Sequence, residues 1–342
     1  MIRTRTTFIL GAGASAELHM PEPPELLERI AQALDFSRGD ASQLTRDSAA
    51  ILRHVGKLAD RLGCTEEAMY RAGQRIHQAA KIGRTIEQVI EQNNDDRLVE
   101  AFGKLASAVF ALQSENRSSL RAVPQGNAAL PLQTGDYWLI ELGKLVTSGL
   151  PRSLLEQRLA DVSVISFSYD RAVQHFLPYA LATAYGMTLQ EAQRIVTAKL
   201  RFHHPYGAVG RLPWQGGDAP DVDWGNEQPW NMIAVANQLR THEQALADRA
   251  GLAELRAAVA QAQRIVFLGF DFSPRSLDLL IDASLSHNPE IIVSLKGMSS
   301  PNMAAAVRLI KRKTGTERDD RLMICEGRCL DVLKDYSLLL ES

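Results

Sequence analysis

The chain has 342 residues, 45% of them hydrophobic and 23% charged, with a formal net charge of -2. This is enough chain for one large domain or two ordinary ones around a substantial core, in the composition of a soluble globular protein. The balanced charge speaks against a dedicated nucleic-acid binder, which carries a basic excess, and no run approaches the roughly 20 apolar residues of a membrane span.

The first element is the strand pattern Thr6-Thr7-Phe8-Ile9-Leu10, which runs straight into Gly11-Ala12-Gly13-Ala14-Ser15-Ala16. A strand followed by a turn of small residues is a means of bringing backbone N–H groups against a phosphate. The glycines permit close approach, and a larger residue at Gly11 or Gly13 is expected to fill the space a ligand needs. The turn is neither the dinucleotide fingerprint, which requires glycine where Ala16 stands, nor a P-loop, which requires a following Lys-Ser or Lys-Thr.

Met20-Pro21-Glu22-Pro23-Pro24 then forces an extended connection. From about Pro24 to Glu115 the apolar residues fall at helical spacing, as in Leu26, Leu27, Ile30 and Leu34 or Ile51, Val55, Leu58 and Leu62. Three to five helices are expected there as an insertion, followed by a loop from about Ser114 to Thr134. A helix is predicted around Trp138–Val146. Strands are predicted at Asp161–Phe167, Lys199–His204, Arg264–Phe270, Glu290–Leu295 and Arg321–Cys325, with helices at Leu252–Ala262 and Asn302–Lys313. Apolar strands alternating with helices predict an α/β fold, a Rossmann-like parallel sheet with helices on both faces. The expected division is a sheet domain of residues 1–21 and 135–342, with 22–134 as an inserted helical subdomain.

Three predicted strands end in glycine-rich or polar turns: Gly11–Ser15, Ser166–Asp170 and Gly269–Asp271. Ligands of open parallel sheets bind beyond the carboxyl ends of the strands, so the three turns are expected to share a site. Asp170 falls at the start of a helix, where it is either a cap or a holder of a ribose hydroxyl, with Ser166 and Ser168 facing the pocket. His203-His204-Pro205-Tyr206-Gly207 ends a strand, and strand alternation is expected to send the two imidazoles to opposite faces, one of them a candidate general base. Trp214, Trp224 and Trp230 lie in a loop of Gly, Pro and Asp and are expected to pin it to the core. Lys311-Arg312-Lys313 suits a helix C-terminus. Cys64, Cys325 and Cys329 lack the spacing of a zinc module and read as free thiols of a cytoplasmic protein. No signal peptide is expected from the N-terminal sequence.

Taken in order, Phe8-Ile9-Leu10-Gly11-Ala12-Gly13-Ala14-Ser15, Ile165-Ser166-Phe167-Ser168-Tyr169-Asp170, His204-Pro205-Tyr206-Gly207 and Phe267-Leu268-Gly269-Phe270 resemble the bacterial sirtuin-like family. The likeness covers about residues 6–20 and 136–330, and Arg84-Thr85-Ile86-Glu87-Gln88-Val89-Ile90 resembles a segment of that family's helical insertion. The resemblance implies an NAD site between a Rossmann-like sheet and the insertion. It also implies hydrolysis of NAD to nicotinamide and ADP-ribose, as in anti-phage systems that deplete NAD. Their sirtuin-like proteins self-associate, and some assemble with a HerA-type ATPase or a short Argonaute. Classical sirtuins are protein deacylases with a four-cysteine zinc module, which this chain lacks, so no metal is expected.

Carried over residue by residue, Gly11, Ala12, Gly13, Ser15, Ser166, Phe167, Tyr206, Gly269 and Phe270 become cofactor-binding candidates, and His204, Ser168 and Asp170 catalytic ones. The resemblance implies that the turn amides hold the pyrophosphate, Ser168 positions water or ribose, and His204 relays a proton. Two positions depart from the family pattern. Ser168 stands where the family has Asn before Tyr-Asp, and Tyr206 stands where it has His before Gly. These departures imply a second expectation, a member that binds NAD or ADP-ribose as a sensor or scaffold without cleaving it.

Overall fold

The computed structural model describes residues 2–35, 45–121, 129–132, 135–316 and 319–341. Six strands, β1 (Thr6–Leu10), β2 (Val162–Ser166), β3 (Arg201–His203), β4 (Arg264–Leu268), β5 (Glu290–Ser294) and β6 (Leu322–Cys325), form one parallel sheet. Its order is β3-β2-β1-β4-β5-β6, that of the doubly wound dinucleotide-binding fold, whose two halves meet between β1 and β4. Each predicted strand is present, most of them trimmed by one or two residues. The chain is an α/β protein with a Rossmann-like sheet.

Every residue of β1, β2 and β4 is buried. Strands covered on both faces have no solvent side to be polar, which is why they read as unbroken apolar runs. The register puts Phe8 between Val164 and Val266, and Ile9 between Ile165 and Phe267. Side chains alternate faces with a period of two. Phe8, Leu10, Val164, Val266 and Leu268 therefore pack with the helices Trp138–Thr147, Ala172–Tyr185 and Cys329–Asp335. Ile9, Ile165, Ile265, Phe267 and Val293 pack on the opposite face against Arg249–Ala260, Pro274–Leu280 and Ser300–Thr314.

Between β1 and Trp138 lie the helices Pro23–Ala33, Arg46–Leu52, Val55–Leu62, Glu66–Ala79, Ile86–Gln92 and Arg97–Arg117, preceded by the short Ala12–Ala16. The cuts between them are chemical. Thr45, Thr65 and Thr85 each accept a hydrogen bond from the amide three residues on, and Gly63 ends Val55–Leu62 in the left-handed region. These caps divide the region more finely than the expected three to five helices. The helices share a hydrophobic cluster that includes Ile30, Leu58, Ile76, Val89, Phe102 and Phe110. Val209, Val222, Met232, Val235 and Leu239 of the β3–β4 connection belong to the same cluster, so its packing crosses the division expected at residue 134. Arg97–Arg117 continues three residues beyond Ser114, where the loop was expected to begin. Part of that loop, residues 122–128 and 133–134, lies outside the described residues.

Candidate functional site

The turn after β1 is built by backbone meeting backbone. Gly11 N–H donates to Leu268 O, Gly13 N–H to Gly269 O and Ala14 N–H to Gly11 O, each at 3.0 Å. A Cβ on Gly11 would lie 2.3 Å from Gly269 O, and one on Gly13 would lie 2.9 Å from Gly269 Cα. Gly269 has φ +59, and its Cβ would meet Ala14 N at 2.2 Å. Glycine is required because the β1 and β4 turns touch at the switch point, a cause distinct from the ligand space expected of Gly11 and Gly13. Trp138 anchors the same turn from below, its Nε1–H donating to Ala14 O at 2.9 Å.

Above these turns lies a cavity of about 660 Å³, within the range of small-molecule sites. Ala12, Gly13, Gly269 and Phe270 line it, together with Ser294 and Lys296 from the end of β5 and Arg84 and Thr85 from the helical segment. It therefore occupies the carboxyl ends of β1, β4 and β5, where sheets of this topology bind ligands. Glu17 also reaches it, but its carboxylate accepts from Cys329 N and Leu330 N at 2.6 and 3.3 Å. Burial and the Glu17 carboxylate push the Cys329 thiol well above its ordinary range, so it is a protonated, unreactive thiol.

A second group of candidates is closed on itself. Asp170 Oδ2 accepts from Ser15 Oγ at 2.6 Å and from Ser168 Oγ at 2.5 Å, while Oδ1 accepts from Ala172 N at 2.9 Å. Asp170 thus holds the start of Ala172–Tyr185 and ties the turns after β1 and β2 together. Ser15, Ser166 and Asp170 surround a cavity of about 10 Å³, room for roughly one water.

His204 lies beside this group. Its Nε2 is 2.6 Å from Gln174 Nε2, an amide donor, and its Nδ1 is 3.3 Å from Ser168 O. The pairing assigns the proton to Nδ1 and the lone pair to the glutamine. Burial holds the imidazole below its ordinary pKa, opposed by the Asp170 charge. The two histidines part as alternation suggests: His203, in register with Ile165, lies on the face of the helix Arg249–Ala260 and feels the charge of Glu254, whereas His204 meets Gln174 of the helix Ala172–Tyr185 on the other face. Both residues border a cavity of about 170 Å³ together with Arg240 and Asp248.

Phe167 and Tyr206 form an aromatic wall with Phe270. Phe167 packs edge-on to Tyr206 at 5.6 Å and to Phe270 at 5.1 Å. Burial pushes the Tyr206 phenol up to about 12, and its Oη lies 3.4 Å from His242 Nδ1. The neighbouring Tyr169 donates to Glu87 Oε1 at 2.5 Å, joining the turn after β2 to the helix Ile86–Gln92. The candidates therefore divide into Ala12, Gly13, Gly269 and Phe270 at the large cavity, Ser15, Ser166, Ser168 and Asp170 with His204 beside it, and Phe167 with Tyr206. Gly11 lies under the turn.

Arg84, Lys296, Glu17 and Gln174 stand at these sites although none was a site candidate from the sequence, where Arg84 entered only as the start of the segment Arg84–Ile90. Neither was the pair Glu115–Arg171, in which Arg171 Nε donates to Glu115 Oε1 at 3.0 Å and Nη1 to Val222 O at 2.7 Å. Both side chains are within 1% of complete burial. Thr85 followed by Gln88 is a capping signal that marks Arg84 as the residue just before a helix, and Lys296-Gly297 follows a strand. Nothing local marks the others. Of the tryptophans, Trp224 pins its loop by stacking on His175 at 4.5 Å and donating to Leu120 O at 3.3 Å. Trp214 packs on the sheet cluster, whereas Trp230 is 87% exposed.

Among the described residues, no group of three or more His, Cys, Asp or Glu is arranged to hold a metal, and no helix is long and apolar enough to cross a membrane. No protein-family model and no curated protein matches the chain.

Proposed function

We propose that this chain is a sirtuin-like NAD-binding protein that holds NAD or ADP-ribose as a sensor or scaffold, self-associating and working with a partner such as a HerA-type ATPase. The observation that carries the reading is the cavity of about 660 Å³ at the β1/β4 switch point, floored by Ala12, Gly13 and Gly269. Its size suits a dinucleotide, and its walls supply the Ala12 turn, two cationic side chains and an aromatic face at Phe270. Retention is favoured over turnover by the hydrogen bonds of the candidate catalytic groups. Ser168 Oγ is given to Asp170, and the His204 lone pair to Gln174.

A second reading, NAD hydrolysis to nicotinamide and ADP-ribose in anti-phage defence, is favoured by the Ser15–Ser168–Asp170 network directly behind the turn that floors the cavity. In that reading Ser168 leaves Asp170 to position water, and His204 exchanges Gln174 for a ribose hydroxyl. An oxocarbenium-like centre needs little covalent help in a dry, preorganised site. The test is calorimetric titration of the purified chain with NAD, with nicotinamide followed by chromatography. Binding without nicotinamide release is the expected result. Release that disappears in His204→Ala while binding persists makes the protein the hydrolase, and absence of both binding and release removes the NAD site.

A further inference from the structure

The turn after β1 has few amides left for a phosphate. Those of Gly11, Gly13 and Ala14 are committed to Leu268 O, Gly269 O and Gly11 O, so within Gly11–Ala14 only Ala12 has no such bond among the described residues. A dinucleotide pyrophosphate carries two negative charges, and one amide does not balance them. The same cavity is lined by two cations, Arg84 just before the helix Ile86–Gln92 and Lys296 just after β5. Many other cations of the fold are paired: Arg275 with Glu91, Arg240 with Asp248, Arg256 with Asp282. Among the described residues no carboxylate pairs with Arg84 or Lys296. Of the three acids on the same walls, Glu17 is spent on the amides of Cys329 and Leu330, Asp271 receives Ser273 N–H at 3.1 Å, and Glu22 stands just before the helix Pro23–Ala33.

We propose that Arg84 and Lys296 read the phosphate charge of the ligand, so that the cavity selects a nucleotide with a pyrophosphate over the corresponding neutral nucleoside. The proposal rests on the NAD reading of this cavity and moves its phosphate recognition from the glycine turn to two side chains. Guanidinium offers a planar fork to phosphate oxygens and ammonium a point charge. Because Arg84 belongs to the helical segment and Lys296 to the sheet, a phosphate held by both also links the two.

The test is calorimetry on the full chain with ADP-ribose and with adenosine, comparing wild type, Arg84→Gln, Arg84→Lys and Lys296→Gln. Both side chains are exposed, so the variants keep the fold, which urea midpoints verify. Each glutamine variant is expected to lose about tenfold in ADP-ribose affinity while adenosine changes by less than about twofold, and Arg84→Lys to recover most of the loss. Raising the salt concentration weakens ADP-ribose binding to wild type more steeply than to either glutamine variant. An unchanged ADP-ribose affinity in either glutamine variant overturns the pairing and leaves the NAD site standing. Equal losses for ADP-ribose and adenosine overturn it as well, since they report a distorted cavity. Failure of wild type to bind ADP-ribose, NAD or adenosine overturns the NAD reading and this proposal together.

Discussion

Replacing Gly269 with alanine tests why the two switch-point turns carry glycine. The new methyl would sit 2.2 Å from Ala14 N and 2.4 Å from Gly13 C, both backbone atoms with no rotamer to change, on a residue at φ +59. The left-handed conformation costs an alanine about 1–2 kcal/mol. Forcing the turns apart adds about 1–3 kcal/mol of overpacking, and loss of the Gly13 N–H bond to Gly269 O adds about 1 kcal/mol. The expected destabilisation is about 3–6 kcal/mol, a large share of the roughly 5–15 kcal/mol that holds a domain. Gly63 is the control, because it has φ +62 and nothing within 4 Å of its would-be Cβ. Gly63→Ala pays the conformational cost alone, about 1 kcal/mol. Urea denaturation of both variants separates the terms. At an m-value of about 3 kcal/mol/M, Gly269→Ala lowers the midpoint by about 1 M or more and Gly63→Ala by about a third of that. Equal midpoints for the two variants would refute the close-packing argument.

Glu115→Ala leaves the Arg171 guanidinium buried without its carboxylate and is expected to cost about 3–5 kcal/mol by urea denaturation, while Glu115→Ala with Arg171→Met costs less than the single change. His175 is held neutral by burial, its pKa lowered from 6.5 to about 4, with Nε2–H donating to Arg121 O. Its folded value lies below its unfolded one, so the stability it contributes is complete above pH 6.5 and is lost as the pH falls toward 4. That loss amounts to at most about 3 kcal/mol, and urea midpoints measured across this window should flatten in His175→Gln. Trp224→Ala is expected to cost about 3–5 kcal/mol and Trp230→Ala less than about 0.5 kcal/mol, a contrast that thermal melts will show.

The sheet was legible because burial on both faces leaves a mark no other element makes. Phe8-Ile9-Leu10, Val164-Ile165 and Ile265-Val266-Phe267-Leu268 are apolar without interruption, and each ends in small or polar residues. The meeting of the three turns followed from that topology. The purpose of the glycines did not, since nothing local in Gly11-Ala12-Gly13 reveals that Gly269 presses on it. Side-chain pairing across the fold was equally hidden. Glu115 and Arg171 lie on different elements, as do His204 and Gln174, and only the assembled sheet brings each pair together. Arg84 and Lys296 carried helix-start and strand-end signals, but nothing in the chain order placed them on one cavity. The tryptophans shared one composition and met different fates, because loop composition does not say which ring finds a pocket.

β1 is made first and completed late. Its partners on either side are residues 162–166 and 264–268, so this strand leaves the ribosome with both hydrogen-bonding edges open. At about 5–20 residues per second the first partner follows after roughly ten to thirty seconds, and the second later still. Thr6–Leu10 carries Phe8, Ile9 and Leu10, all destined for the core, and during that interval it is an uncapped apolar strand of the kind that pairs with other chains. The helices that follow it find many of their partners locally and provide a folded mass against which it can wait. Folding of this protein during synthesis is therefore a matter of keeping its central strand occupied until the two halves of the sheet arrive.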